Sequence, residues 1–111
     1  MAHNKTELYT FIQFFVKYLW HVRYITFSLL ALVIIGSILL SRFEGLSIID
    51  SIYLAFVTAF TIGYGDISPI TVLGKVVCIS IGLIGIIFTG LVIAVSTRAL
   101  FSAVQDETNK D

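Results

Sequence analysis

Two long segments of this sequence contain no charged residue, and they restrict the chain to the few folds that a membrane allows. The first covers residues 24–41 and the second covers residues 76–97. At about 1.5 Å per helical residue, the second segment reaches about 33 Å, which matches a hydrocarbon core about 30 Å thick. Since 58% of the 111 residues are hydrophobic and only 13% are charged, the sequence predicts a membrane protein with two spanning helices in a lipid bilayer.

The remaining composition excludes several other classes of protein. The formal net charge is zero, so no basic field indicates a nucleic acid partner. Cys78 is the one cysteine, which excludes a disulfide framework within the chain and a metal site built from several cysteines. No cluster of acids, histidines and serines has the spacing of a catalytic site. The sequence therefore predicts a protein that is not an enzyme and has no cofactor.

Lysine and arginine set the orientation, because cytoplasmic flanks carry more of them. Five lie outside the pair of spans and two lie between them: Lys5, Lys17, Arg23, Arg98 and Lys110 against Arg42 and Lys75. We expect a plasma-membrane protein with both termini in the cytoplasm. The alternative for the first segment, a cleaved signal peptide, fits poorly, because its apolar run begins late and no small-x-small cleavage site follows it.

Residues 1–23 predict an amphipathic helix that lies on the inner leaflet. Apolar side chains recur at helical spacing, at Leu8, Phe11, Ile12, Phe15, Leu19 and Val22. Aromatic residues with polar tips flank this stripe, and such residues favour the membrane interface. The alternative is a helix that packs on a soluble domain outside this sequence. His21, on the polar face, is either a pH sensor or a polar residue at headgroup level.

The segment between the spans begins with a short apolar helix. Ser47 and Asp50 form a capping-box-like start, with Ser47 as N-cap and an acid at N3. The helix predicted over residues 48–60 is about 20 Å long and too short to cross the bilayer. We therefore expect a re-entrant helix, which enters the membrane and returns on the same side.

Residues 61–66 follow this helix and read Thr-Ile-Gly-Tyr-Gly-Asp. This motif resembles the T-[V/I]-G-Y-G-D selectivity filter of the potassium-channel pore family, and the resemblance extends over residues 24–97. It implies an all-α membrane protein with two transmembrane helices, a re-entrant pore helix and a filter loop, assembled as a homotetramer. The alternatives are a flexible extracellular turn and a phosphate-binding loop. A phosphate-binding loop, however, requires Lys or Ser/Thr after the glycines and a helix N-terminus.

The motif suits potassium because an ion that leaves water must find oxygens of similar number and strength. Successive backbone carbonyls can supply them if the backbone dihedrals alternate in hand, and glycine adopts positive φ at little steric cost. The resemblance implies that the carbonyls of Thr61, Ile62, Gly63 and Tyr64 bind K⁺, with the Thr61 hydroxyl below them. It also implies that the side chains of Ile62 and Tyr64 pack against the pore helix. Four chains would then conduct K⁺ passively.

Some relatives place a glutamate four residues before the filter threonine, where it pairs with the filter aspartate. Val57 stands there in this chain, so Asp66 lacks that partner. Tyr53 is the nearest candidate for a hydrogen bond to Asp66, and its alternative is a membrane-interface aromatic. We expect these three residues and Gly65 to support the filter. Because Tyr64 and Gly65 are intact, the resemblance implies selectivity for potassium over sodium.

The second span is predicted as the inner helix of the channel. The resemblance assigns Gly85 as the gating hinge, and the alternative for this residue is close helix packing. It matches Gly90 to a second gate position toward the bundle crossing, which is often glycine or alanine. It also places five uncharged side chains toward the cavity and inner mouth: Ile86, Thr89, Ile93, Ala94 and Thr97.

The predicted regions are an interfacial helix 1–23, an outer helix 24–42, a pore helix 48–60, a filter 61–66, an inner helix 73–97 and a cytoplasmic tail 98–111.

No segment carries an arginine at every third position, so we expect no voltage sensor in this sequence. The chain is either a minimal channel or the pore portion of a longer protein with a missing cytosolic regulatory domain. Two other functions are alternatives to the channel. One is a two-span membrane adaptor that binds partners, but this function leaves the motif at 61–66 unexplained. The other is a potassium transporter in which this chain is one self-assembling subunit.

Overall fold

The computed structural model describes residues 2–110, with the side chains of 5–106, 108 and 109. Met1 and Asp111, the outer limits of the predicted interfacial helix and tail, lie outside the described residues. All regular secondary structure in the described part of the chain is helical: α1 (Ala2–His21), α2 (Arg23–Glu44), α3 (Ile48–Ala59) and α4 (Val72–Lys110). Helices α2 and α4 are long and apolar enough to cross a membrane.

The two long helices extend beyond their predicted ends. Helix α2 continues to Glu44 and stops where Gly45 adopts a φ of 68°, a left-handed conformation that glycine adopts readily at a helix C-terminus. Helix α4 does not end at Thr97 but continues to Lys110. The reason is local, because residues 98–110 contain neither glycine nor proline. The predicted tail is thus mostly helix.

Helix α3 begins as its sequence predicts. The Ser47 side chain accepts a hydrogen bond from the Asp50 N–H at 3.2 Å, so Ser47 is the N-cap. The helix has 12 residues, and Phe60, the last residue of the predicted helix, is its C-cap. At about 1.5 Å per residue it is about 18 Å long, well short of a bilayer.

The chain divides into two compact units, and Ile25–Thr89 form the first. Its core lies where α2, α3 and the first part of α4 pack together, and it consists of Val33, Leu40, Leu54, Ala55, Ala59 and Ile81. Gly36 belongs to this packing, since a Cβ there would lie 2.7 Å from Cδ1 of Ile81. The short α3 is therefore held between the two long helices.

The second unit contains the chain up to Tyr24 and from Gly90 onward. Its buried apolar residues lie four apart on α4, at Val95, Ala99 and Ala103. The half-buried face of α1 includes Phe11, Phe14, Phe15, Tyr18 and Leu19, and Val22 just after the helix is also half-buried. Leu8 and Ile12, which belong to the predicted apolar stripe, are instead exposed at 60% and 48%. The packed face of α1 is therefore rotated from the predicted one, because the aromatic Phe14 and Tyr18 take part in it.

Candidate functional site

The loop that follows α3 has a backbone of alternating hand. Thr61, Gly63 and Gly65 have positive φ angles of 60°, 60° and 81°, whereas Ile62 and Tyr64 between them do not. The two glycines adopt this conformation at little cost, but a threonine there is strained by roughly 1–2 kcal/mol. Alternation was predicted from Gly63 and Gly65, and Thr61 extends it by one residue.

The end of α3 holds this loop through main-chain hydrogen bonds. The Val57 carbonyl accepts from the N–H groups of Ile62 at 2.9 Å and Gly63 at 3.3 Å, and the Thr58 carbonyl accepts from the Thr61 N–H at 3.1 Å. These bonds satisfy carbonyls that a helix C-terminus leaves without partners. Val57 therefore contacts the loop through its backbone, while its side chain is buried.

The Thr61 hydroxyl is also held at the start of the loop. It donates to the Phe60 carbonyl at 2.6 Å, which leaves the lone pairs of Oγ1 free to accept or to bind a cation. Phe60 itself packs between Phe56 and Phe88, with ring centroids 5.7 and 6.2 Å apart. Since α3 and α4 both contribute to this aromatic cluster, it fixes the point at which α3 ends.

Tyr53 and Asp66 form the hydrogen bond that their positions predict. The Tyr53 hydroxyl donates to Oδ2 of Asp66 at 2.8 Å and so ties the middle of α3 to the last residue of the motif. This bond, followed by partial burial and the negative charge of Asp66, raises the pKa of Tyr53 above its ordinary value. The phenol therefore stays protonated and remains a donor at neutral pH.

Glu44 anchors the far end of the loop, and the sequence analysis missed it. Its carboxylate accepts from the Ile70 N–H at 2.8 Å, the Thr71 N–H at 3.0 Å and the Thr71 hydroxyl at 2.7 Å. Thr71 in turn caps α4 by accepting from the Gly74 N–H at 3.0 Å. One sequence feature pointed to this role. Glu44 is an acid at the end of an apolar span, and a charged side chain in that position needs hydrogen-bonding partners.

The side chains of Ile62 and Tyr64, which are predicted to pack on the pore helix, are only partly covered in the single chain. Their side chains are exposed at 49% and 69%. Much of their apolar surface is therefore available for contact with another molecule.

Gly85 lies where α3 and α4 come close together. A Cβ at this position would come within 3.0 Å of the backbone of Ala59, the last residue of α3. The same region contains a small apolar cavity of about 30 Å³, lined in part by Leu29, Phe56 and Phe88. Helix α4 is unbroken at Gly85. Gly85 thus makes a packing contact with α3, whereas its predicted role as a gating hinge does not need such a contact.

The residues predicted to line the cavity lie along α4. Ile86 and Ile93 are exposed at 59% and 60%, Thr89 is half-buried, and Ala94 and Thr97 are exposed. The Thr97 hydroxyl donates to the Ile93 carbonyl at 2.8 Å, so it is satisfied within the helix. A Cβ at Gly90 would meet nothing within 4 Å. Within the described residues, no cluster of three or more His, Cys, Asp or Glu could bind a metal ion.

Comparisons with known proteins identify a family and two relatives. A family described as "Ion channel" matches residues 24–102. The chain is 45% identical over 51 residues to the intermediate conductance calcium-activated potassium channel protein 4 of Rattus norvegicus, which is 46% of this chain and 12% of that protein. It is 50% identical over 40 residues to a voltage-gated potassium channel of Aeropyrum pernix, which is 36% of this chain and 14% of that protein.

No solved structure matches the chain. The matched segments span less than a sixth of either curated relative, so the relatives are much longer proteins. The family match, however, covers most of this chain, including both candidate spans and the loop between them. The chain therefore belongs to the ion channel family, as a non-enzymatic membrane protein of the two-transmembrane-helix potassium-channel pore type.

Proposed function

We propose that four copies of this chain form a potassium-selective channel that conducts K⁺ passively through a filter of backbone carbonyls. The observation that carries this proposal is the alternation of φ from Thr61 to Gly65 in a loop held at both ends. Such a backbone directs successive carbonyls to one side, where they can replace the hydration shell of an ion. The coordinating carbonyls are those of Thr61, Ile62, Gly63 and Tyr64, K⁺ is the permeant ion, and no cofactor takes part.

The hydrogen bonds around the loop explain how it keeps this shape. Main-chain bonds from Val57 hold one end, the Tyr53–Asp66 hydrogen bond holds the other, and Glu44 fixes the segment beyond it. Selectivity requires carbonyls that neither collapse onto a smaller ion nor spread apart. In this proposal, Gly65 and Asp66 act with Tyr53 and Val57 as that scaffold.

One chain supplies one quarter of such a filter, so the proposal requires a homotetramer around a fourfold axis. The exposed side chains of Ile62 and Tyr64 support it, because neighbouring subunits would cover them. Helix α3 is too short to span and is proposed as the re-entrant pore helix, with the negative end of its dipole toward the ion. The excess of lysine and arginine outside the spans supports cytoplasmic termini in the plasma membrane.

For gating, we place a packing role at Gly85 and the flexible position at Gly90. Bending at Gly85 would separate it from Ala59 and disturb the base of the filter, whereas Gly90 has no neighbour to lose within the chain. The apolar Ile93 lies one turn beyond Gly90, and four such side chains around the axis could close the pore by excluding water.

Ion flux into vesicles tests this proposal. The purified full chain, reconstituted in lipid vesicles, should take up K⁺ and Rb⁺ but exclude Na⁺, and its assembly should have the mass of four chains. The matched control is Gly63→Ala, because alanine at a φ of 60° is strained and should misalign the carbonyls. Absence of K⁺ uptake by the wild type, or equal uptake of K⁺ and Na⁺, contradicts the proposal, and the first result would favour a non-conducting adaptor.

A further inference from the structure

The small cavity beside the end of α3 lies inside one compact unit of the chain, where α2, α3 and α4 meet. Its volume is about 30 Å³, and it is lined by apolar residues of all three helices, among them Leu29, Val33, Phe56, Phe60, Gly85 and Phe88. None of the lining residues has a polar side chain. A water molecule inside would lack the hydrogen-bonding partners that buried water needs, so the cavity excludes water.

The packing of the three helices leaves this space because of the residues at its wall. Gly85 must stay without a side chain, since a Cβ there would overlap the backbone of Ala59. The ring of Phe60 is held between two others, with its centroid 5.7 Å from that of Phe56 and 6.2 Å from that of Phe88. The atoms of the wall consequently lack dispersion contacts on the side of the cavity, and an apolar guest would restore them.

The cavity lies at the depth of the hydrocarbon core of the membrane. Its lining residues on α2 belong to the uncharged run of residues 24–41, and those on α4 belong to the run of residues 76–97. Leu30 and Phe60, which also line it, are exposed at 41% and 47%, so the cavity opens to the surface of the chain. Apolar molecules that dissolve in the bilayer can therefore reach it, whereas charged ones are excluded from this depth.

We propose that this cavity binds a small, uncharged, apolar molecule that dissolves in the bilayer. The volume limits the size of the guest, because about 30 Å³ accommodates roughly two water-sized spheres of about 10–15 Å³ each. A xenon atom or a molecule of roughly two or three heavy atoms meets this limit. By filling the space beside the contact of Gly85 with Ala59, the guest would stabilise α3 against α4 at the point from which the loop starts. This inference rests on the packing within one chain and not on the proposed ion selectivity.

Xenon is the probe, and methyl NMR spectra of the purified full chain in detergent, recorded at increasing xenon pressure, measure its binding. The methyl resonances of Leu29 and Val33 should shift and then saturate. Those of Val104, which is exposed at 57%, should shift only in proportion to pressure. Val33→Ile adds a methylene at the wall and should abolish the saturable shift of Leu29. Val95→Ile adds the same group at an equally buried valine of the other compact unit and should leave that shift unchanged.

Leu29→Ala tests the site in the opposite direction and replaces Val33→Ile if that variant does not fold. It enlarges the cavity, so benzene should now cause saturable shifts of the Val33 methyls, which it should not cause in the wild type.

Three results would overturn the proposal. Xenon shifts of the wild type that do not saturate, or that are the same in Val33→Ile, exclude a site in this cavity. Saturable benzene binding by the wild type excludes the limit on the size of the guest. Saturable xenon shifts in detergent that disappear in lipid nanodiscs assign the cavity to the end of a lipid acyl chain instead. None of these measurements involves ion flow, so a failure of the proposed K⁺ selectivity would leave them unaffected.

Discussion

Gly85 of α4 lies against the backbone of Ala59, the last residue of α3, so closely that no other side chain fits between them. The loop of residues 61–66 begins two residues after this contact and is bonded to the same end of α3. The packing of this one glycine of α4 therefore fixes the position of the end of α3, from which the proposed filter starts.

Replacement of this glycine by alanine should destabilise the protein. The Cβ of Gly85→Ala would overlap the Ala59 main chain, and overpacking of this kind costs about 1–3 kcal/mol. Thermal unfolding of the purified assembly measures the effect. Gly90→Ala is the control, since its Cβ meets nothing within 4 Å and alanine favours the helix, so stability should hold or rise. Wild-type stability of Gly85→Ala would show that α3 and α4 do not pack as described.

The hydrogen bond between Tyr53 and Asp66 should brace the proposed filter. Tyr53→Phe keeps the ring but removes the donor at 2.8 Å, so the outer end of the loop should loosen. We expect K⁺ current that decays faster during sustained opening, by a factor of roughly 10 or less. Tyr9→Phe, at an exposed position of α1, is the control. If the K⁺ current decays equally fast in the wild type and in Tyr53→Phe, this hydrogen bond does not support the filter.

The raised pKa of Tyr53 gives this bond a defined dependence on pH. Because the folded protein favours the neutral phenol, the stabilisation is complete below the ordinary tyrosine pKa of about 10 and is lost as the pH rises through the raised value. The difference in current decay between wild type and Tyr53→Phe should therefore stay constant across neutral pH. A difference that disappears below pH 8 would contradict this assignment.

Glu44 should stabilise the segment between the filter and α4. Glu44→Gln replaces one carboxylate oxygen by a donor that faces the N–H groups of Ile70 and Thr71, so at least one of the three bonds is lost. We expect the melting temperature of the assembly to fall by about 5 °C. Asp50→Asn removes the same charge at the first turn of α3, where no such cluster of donors depends on it, and should have a smaller effect. If both variants lower the melting temperature equally, Glu44 does not anchor this segment.

Much of this arrangement could be predicted because it depends on local rules. Ser47 caps α3, Gly63 and Gly65 take positive φ, and Tyr53 reaches Asp66, since each follows from a residue type at a short spacing. The helices are where uncharged runs predict them, although helix α4 continues past Thr97 because nothing in the following residues interrupts it.

The features that were missed depend on contacts between distant parts of the chain. Glu44 and Thr71 are 27 residues apart, and no spacing rule joins the end of one helix to the cap of another. The contact of Gly85 with Ala59 could not be predicted from the sequence either, because a glycine in an apolar helix is equally suited to bending and to packing. Only the docking of α3 between α2 and α4 distinguishes those roles.

Block by tetraethylammonium from outside should be weak in the wild type. Ser68 is exposed two residues beyond Asp66 and has no aromatic face to attract a quaternary ammonium ion. Ser68→Tyr would place four rings around the proposed outer mouth and should strengthen the block about tenfold or more, as cation–π contacts predict. Dose-response curves in planar bilayers measure this. Tight external block of the wild type would place the outer mouth elsewhere.

The central claim is that the backbone of residues 61–65 selects potassium, and the reversal potential of a single reconstituted channel tests it most directly. With K⁺ on one side and an equal concentration of Na⁺ on the other, the wild type should reverse more than about 59 mV from zero, since that displacement corresponds to a tenfold preference for one monovalent ion. Tyr64→Asp, which adds charge and removes the aromatic ring beside the carbonyls, should move the reversal potential toward zero. A wild-type reversal potential at zero, or one that Tyr64→Asp leaves unchanged, would contradict the carbonyl filter.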